Sequence, residues 1–315
     1  MTERGEGGRG FYLGVEIGGT KLQVCVGDAG GRIVEPHRLP VRASSGAAGI
    51  RAQLEQTIPE LARRFRPAAV GVGFGGPVDW ATGRICRSHQ VEGWSDFPLA
   101  QWLSGLAGAP VFLDNDANLG ALGEAVHGAG TGFNPVFYVT LGSGVGGGLV
   151  VDGKIFHGAR PGESEIGHVR LDRSGMLVES RCSGWAVDAK IRAAIARDPA
   201  GAMARCVGKA AGNEARFLSA ALSQGDAAAA AILEETSEDL AFALSHVVHL
   251  FHPEIIVLGG GLALVGEPLR AAVEGQVRRF IMEVFAPGPR IALARLAQDA
   301  VPVGALCLAL AGGLG

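Results

Sequence analysis

VFYVTLGSGVGGGLVVDG, residues 136–153, is an apolar run, a cluster of glycines and a second apolar run. Two apolar runs around a tight glycine turn read as a β-hairpin. The same layout stands at the start of the chain, where FYLGVEI (11–17) leads through Gly-Gly-Thr-Lys (18–21) into LQVCVGD (22–28). A pattern that occurs twice predicts a duplicated α/β unit.

The intervening segments fit that reading. Ile50, Leu54, Ile58, Leu61 and Phe65 recur at the spacing of an amphipathic helix over 50–65. AAVGVGF (68–74) reads as a buried strand ending in Gly75-Gly76-Pro77, and 98–107 as a helix with Asp96 near its start. VFLD (111–114) is a strand, followed at once by the helix-like ANLGALGEAVHG. In the second half, 226–251 predicts a long helix, EIIVLGGGLA (254–263) a strand entering a third glycine turn, and 301–310 a closing helix. No Pro- or Ser-rich linker parts the halves. The expectation is two α/β lobes around a central cleft: a flexible tail at 1–10, a small lobe of 11–118 plus about 300–315, and a large lobe of 119–299.

Composition narrows the classes. Of 315 residues, 48% are apolar and 19% charged, a mixture that buries a core. Glycine, with 50 residues, stands at roughly twice its usual share, gathered in short loops between apolar runs. The net charge is −3, and no basic stripe suggests a nucleic-acid partner. The five cysteines, Cys25, Cys86, Cys182, Cys206 and Cys307, show no CxxC spacing, so a reducing cytoplasm is expected. Neither a signal peptide nor an 18-residue apolar span occurs, so no membrane partner is expected.

Three strand-to-glycine turns, at 18–21, 142–148 and 259–261, would free backbone N–H groups to face an anion. Ordinary tight turns are the alternative for any one of them. Three at comparable places weaken it. Thr20 and Ser143 add hydroxyls and Lys21 a positive charge. GxxxxGK[ST] is absent, and GSGVGG at 142–147 precedes strand-like sequence where a dinucleotide fold needs a helix. DNDAN (114–118) sits where a strand meets a helix. One of its four polar residues suffices as a helix cap, and a carboxylate there can accept a proton from an attacking hydroxyl. PGESEIGHVRL (161–171) carries Glu163, Glu165 and His168, with Glu179 following. Carboxylates and a histidine suit hydroxyl recognition.

Taken in order, EIGGTK (16–21), GVGFGGPVD (71–79), DNDAN (114–118), TLGSGVGGGLVVDGKIFHGA (140–159), EIGHVRL (165–171) and VLGGGLA (257–263) resemble the ROK family of sugar kinases and related repressors. The resemblance runs from about Leu13 to the end. It implies an actin-like ATPase (ribonuclease H-like) fold, ATP and Mg²⁺ as cofactors, a sugar substrate and a homodimer. By position, Glu16 stands for the family's acid near the magnesium-phosphate group. Gly18, Gly19, Thr20 and Lys21 match the first phosphate loop; Gly142, Ser143 and Gly144 match the second; Gly259, Gly260 and Gly261 match the turn beside adenosine. Asp116 matches the catalytic base. Gly76, Asn115, Glu165, His168 and Glu179 match sugar-binding positions.

Two departures fall on the sugar side. The family's usual CxCGxxGC zinc motif is replaced by cysteine-free LDRSGMLV (171–178), so no zinc is expected. Gln90, in SHQVEGW (88–94), stands where the family often has Asn. The resemblance thus implies phosphorylation of a hexose or N-acetylated amino sugar. Its rivals are a sugar-binding sensor without catalysis and a repressor. The repressor is disfavoured because only about a dozen residues precede the first strand.

Overall fold

β1 (Tyr12–Ile17) and β2 (Leu22–Gly27) are buried on both faces, as near-continuous apolar runs in a covered sheet must be. The computed structural model describes residues 10–41, 45–86, 92–160, 162 and 164–313. Gln90, Glu163 and all of the expected tail except Gly10 lie outside the described residues. The chain divides into two compact units, Met1–His127 with Lys154–Glu163 and Gln298–Gly315, and Gly128–Gly153 with Ser164–Ala297.

In the first unit, β3 (Ile33–Leu39), α1 (Gly46–Phe65), β4 (Ala69–Phe74), β5 (Val78–Asp79) and β6 (Arg84–Ile85) follow the opening hairpin. Then come α2 (Leu99–Ala107), β7 (Val111–Asn115) and α3 (Asp116–His127). The main sheet has the order β3-β2-β1-β4-β7. β1 pairs antiparallel with β2 and parallel with β4, which pairs parallel with β7. α1 buries Ile50, Leu54, Ile58 and Leu61, the stripe its spacing predicts. Asp96 does not cap α2, whose N-cap is Pro98; its carboxylate instead accepts from Arg84 Nε at 2.9 Å.

The second unit begins with β8 (Val136–Leu141) and β9 (Val145–Val151), after which β10 (Lys154–Ile155) returns the chain to the first unit. Next come α4 (Val178–Cys182), α5 (Gly184–Arg197), α6 (Ala202–Val207), α7 (Leu218–Ser223) and α8 (Ala227–Phe251). β11 (Ile255–Gly259), α9 (Glu267–Phe280) and β12 (Arg290–Leu293) complete the unit. Its strands run β9-β8-β11-β12. β8 pairs antiparallel with β9 and parallel with β11, which pairs parallel with β12. That is the pattern of β2-β1-β4-β7, so the repeat seen in sequence is a repeat of topology. The glycine loop is shorter than 142–148: Gly146, Gly147 and Gly148 are strand residues opposite Thr140, Val139 and Tyr138. A side chain at Gly147 would meet the Ser164 carbonyl at 2.5 Å, which explains a glycine inside a strand.

α10 (Ala300–Gly312) rejoins the first unit and packs against α3, β1 and β4. Among the described residues, no helix is long and apolar enough to cross a membrane.

Candidate active site

In the first unit, the turn between β1 and β2 is closed by Gly18 N–H donating to the Lys21 carbonyl at 2.8 Å. Thr20 and Lys21 are exposed at its tip. Glu16 lies just behind, 5% exposed. Its carboxylate accepts from Gln23 Nε2 at 2.6 Å. Gln23 Oε1 in turn accepts from Arg38 Nε at 3.1 Å, and Arg38 Nη2 donates to Asp299 at 3.2 Å. Burial pushes the Glu16 carboxyl above its ordinary range, against the opposing pull of Lys21 and the Gln23 hydrogen bond; Asp299 adds to the rise.

A carboxyl whose folded-state pKa is raised favours the fold while protonated. That contribution is present below the ordinary glutamate value of 4.5 and is lost as pH rises through the folded value. Glu16→Gln keeps an acceptor for Gln23 and removes the charge. It is expected to melt above the parent chain at pH 8, with the difference vanishing near pH 4. Melting curves at the two pH values test this; equal melting temperatures at pH 8 would refute it.

The DNDAN stretch spans the end of β7 and the start of α3, and the fold gives its four polar side chains different tasks. Asn115 is the helix cap: its Oδ1 accepts from Ala117 N–H at 2.8 Å and Asn118 N–H at 3.3 Å. Its Nδ2 donates to the Gly76 carbonyl at 3.3 Å. Asp114 and Asn118 turn inward, 1% and 0% exposed. Asp114 Oδ1 accepts from Asn115 N–H at 2.8 Å and Asn118 Nδ2 at 2.9 Å. Asp116 alone of the four is only half-buried. A side chain built on Gly75 would meet Asp116 Oδ2 at 3.2 Å and Gly18 Cα at 3.4 Å. The carboxylate therefore lies beside the turn leaving β4, whose Gly75 also borders the first glycine turn.

In the second unit, the turn from Gly142 to Gly144 is closed by Gly142 N–H on the Gly144 carbonyl at 2.9 Å. Gly184 N–H, opening α5, donates to the Gly142 carbonyl at 2.7 Å. The turn after β11 lies alongside. Gly260 has φ +82°, and a side chain there would meet the Leu141 backbone at 2.5 Å. The second and third glycine turns thus meet at the C-terminal ends of adjacent parallel strands, where open α/β sheets bind ligands. Glu165 and His168 form an exposed pair at 3.2 Å. Glu179 does not contact that pair among the bonds described. Its Oε2 accepts from Val145 N–H at 3.0 Å, directly against the second glycine turn.

The residues at the family's zinc position do not fit a zinc ion. Val169 to Val178 forms a small hairpin, with an Arg170–Leu177 bridge and Val178 N–H on the Val169 carbonyl at 3.1 Å. Asp172 Oδ1 closes the turn by accepting from Ser174 Oγ, Gly175 N–H and Met176 N–H at 2.7, 3.0 and 3.1 Å. The nearby thiol, Cys182, is fully buried beside the Thr236 carbonyl, and burial pushes it up to about 12. It offers no ready thiolate.

Sequence reading missed His157. Its Nε2 lies 2.6 Å from Asp114 Oδ2, and its ring stacks on Trp80 with centroids 4.3 Å apart. No local pattern signals a contact between residues 43 positions apart.

Two sheets of matching order, each ending in glycine turns, define an actin-like ATPase fold. The ROK family model matches residues 12–311, and the chain belongs to the ROK family. It is 30% identical over 301 residues to a glucokinase of Thermotoga maritima, covering 93% of this chain and 95% of that one. It is 29% identical over 306 residues to an N-acetylmannosamine kinase of Salmonella typhimurium, covering 94% and 97%. Among solved structures, a ROK family glucokinase from Streptomyces griseus in complex with glucose and AMPPNP superposes with a TM-score of 0.84. That pair is 29% identical, with 95% of this chain and 99% of that one covered.

Proposed function

We propose that this chain is a kinase that transfers the γ-phosphoryl group of ATP to a hydroxyl of a hexose or N-acetylated amino sugar, with Asp116 as general base. The observation that carries the reading is the division of tasks in DNDAN. Asp114 and Asn118 are buried in the strand end and Asn115 caps α3 through Oδ1, while Asp116 alone of the four keeps partial exposure, with Oδ2 beside Gly75.

In this reading the sugar hydroxyl oxygen attacks the γ-phosphorus, its proton passes to the Asp116 carboxylate, and ADP leaves. Backbone N–H groups of the 18–21 and 142–144 turns hold phosphate oxygens, and Lys21 offsets their charge. The turn at 259–261 takes the nucleoside side. Gly76, Asn115, Glu165, His168 and Glu179 orient the sugar, Asn115 through the second hydrogen of the Nδ2 that also donates to the Gly76 carbonyl. Gln90 belongs to the same set by sequence. A bound Mg²⁺ would neutralise phosphate charge, and Glu16 is the nearby acid suited to hold it, directly or through water. The reading includes a cytoplasmic homodimer with sugar and ATP as its small-molecule partners.

The test is ATP consumption across glucose, fructose, allose, N-acetylglucosamine and N-acetylmannosamine. Turnover is expected on at least one. Sugar binding without turnover on any would favour a sensor instead.

A further inference from the structure

Asp114 is a buried carboxylate, and a buried charge is tolerated only when its oxygens are met by donors. Oδ1 has two, Asn115 N–H and Asn118 Nδ2. Oδ2 faces the imidazole of His157 at 2.6 Å, in the range of a charge-assisted bond. The carboxylate accepts, so the hydrogen lies on Nε2 whether the ring is neutral or protonated. The bond therefore does not require a charged histidine.

The partners of Asp114 flank Asp116 on both sides. Asn115 precedes it, and Asn118 lies two residues beyond. Asn118 is held through its Nδ2 alone, which donates to Asp114 at 2.9 Å and to the Gly162 carbonyl at 3.2 Å. Its Oδ1 is buried with no hydrogen-bond partner. Nothing else described fixes that amide, so a movement of Asp114 would release it. His157 and Gly162 both belong to Lys154–Glu163, the segment that returns to the first unit. Two bonds thus fasten that segment to the strand end that carries Asp116.

We propose that His157 is a positioning residue for Asp116, acting through its hydrogen bond to Asp114 rather than through its stack on Trp80; the catalytic part of this inference rests on the kinase reading above. Loss of the Nε2 donor leaves Oδ2 buried and unmet. Asp114 then turns, Asn115 and Asn118 lose their anchor, and the first turn of α3 loosens around the base.

Two substitutions separate the bond from the stack. His157→Phe keeps a ring against Trp80 and removes the donor. His157→Gln keeps a donor near the Nε2 position and removes the ring. In H157F, kcat on the best sugar is expected to fall roughly 10- to 100-fold, the penalty of a misplaced catalytic group, with sugar KM within about threefold of the parent's. H157Q is expected to stay within about threefold on both constants. Backbone hydrogen exchange over residues 113–120 should quicken in H157F and match the parent in H157Q.

Parental kcat and exchange in H157F would overturn the proposal, as would equal losses in both variants. If H157F does not fold, H157Q decides: a folded H157Q with more than a tenfold loss of kcat overturns it. If the parent chain phosphorylates no sugar, the kinase reading fails, and the exchange comparison alone decides whether His157 orders the strand end.

Discussion

Asp116→Asn is expected to fold as the parent does, to keep its sugar affinity, and to lose turnover by about 10²- to 10⁴-fold. The substitution preserves shape and changes one chemical property, the capacity to take a proton. The cap of α3 is supplied by Asn115, and the buried hydrogen bonds of the strand end belong to Asp114 and Asn118. Asp116 lies half-buried beside Gly75, and an amide has the size and shape of the carboxylate it replaces. Loss of kcat with parental melting temperature and parental sugar binding is the signature of a missing base. Near-parental kcat would remove Asp116 from the role. By contrast, Asp114→Asn places an amide where a buried carboxylate meets three donors, so its damage should appear in stability first.

The part of this architecture that sequence revealed is the part written in local pattern. The two hairpins were legible because apolar runs flank glycine turns, and the duplicated sheet order follows from them. The α1 stripe was legible because its spacing closes on one helix face. Long-range partnerships were not. DNDAN offers four polar residues of similar chemistry, and only the fold shows that Asp114, Asn115 and Asn118 are buried while Asp116 keeps partial exposure. Gly146–Gly148 read as loop because glycine is a turn former, yet they pair with β8 as strand, and the close approach of Ser164 leaves Gly147 no room for a side chain. The family resemblance assigns Glu165, His168 and Glu179 alike to the sugar. The structure ties Glu179 to Val145, the first residue of β9 after the second glycine turn, and pairs the other two with each other. LDRSGMLV, where the family's zinc motif would fall, gave no sign of the hairpin that Asp172 closes through three hydrogen bonds.

Gly304→Ala is expected to cost both stability and turnover, although alanine is the better helix former by up to about 1 kcal/mol. Gly304 lies in α10, where it faces α3. A side chain there would fall 1.8 Å from the Leu119 carbonyl oxygen, and one on Gly123 of α3 would fall 2.4 Å from the Ala300 carbonyl oxygen. These contacts are backbone against backbone, so no rotamer change relieves them, and the helices must separate. Overpacking of this kind costs roughly 1–3 kcal/mol and sometimes more, which for a chain of this size implies a melting temperature lower by roughly 2–5 °C. Leu119 is one turn from Asp116, so the displacement reaches the base; a shift near 1 Å can cost about 100-fold in rate. Gly105 is the control. It lies in α2, where a Cβ would have nothing within 4 Å, so Gly105→Ala should melt at or slightly above the parent and keep its activity. A G304A protein that melts with the parent would show that α3 and α10 can part without strain, and the helix that carries Asp116 would then owe its place to the sheet and to His157 rather than to α10.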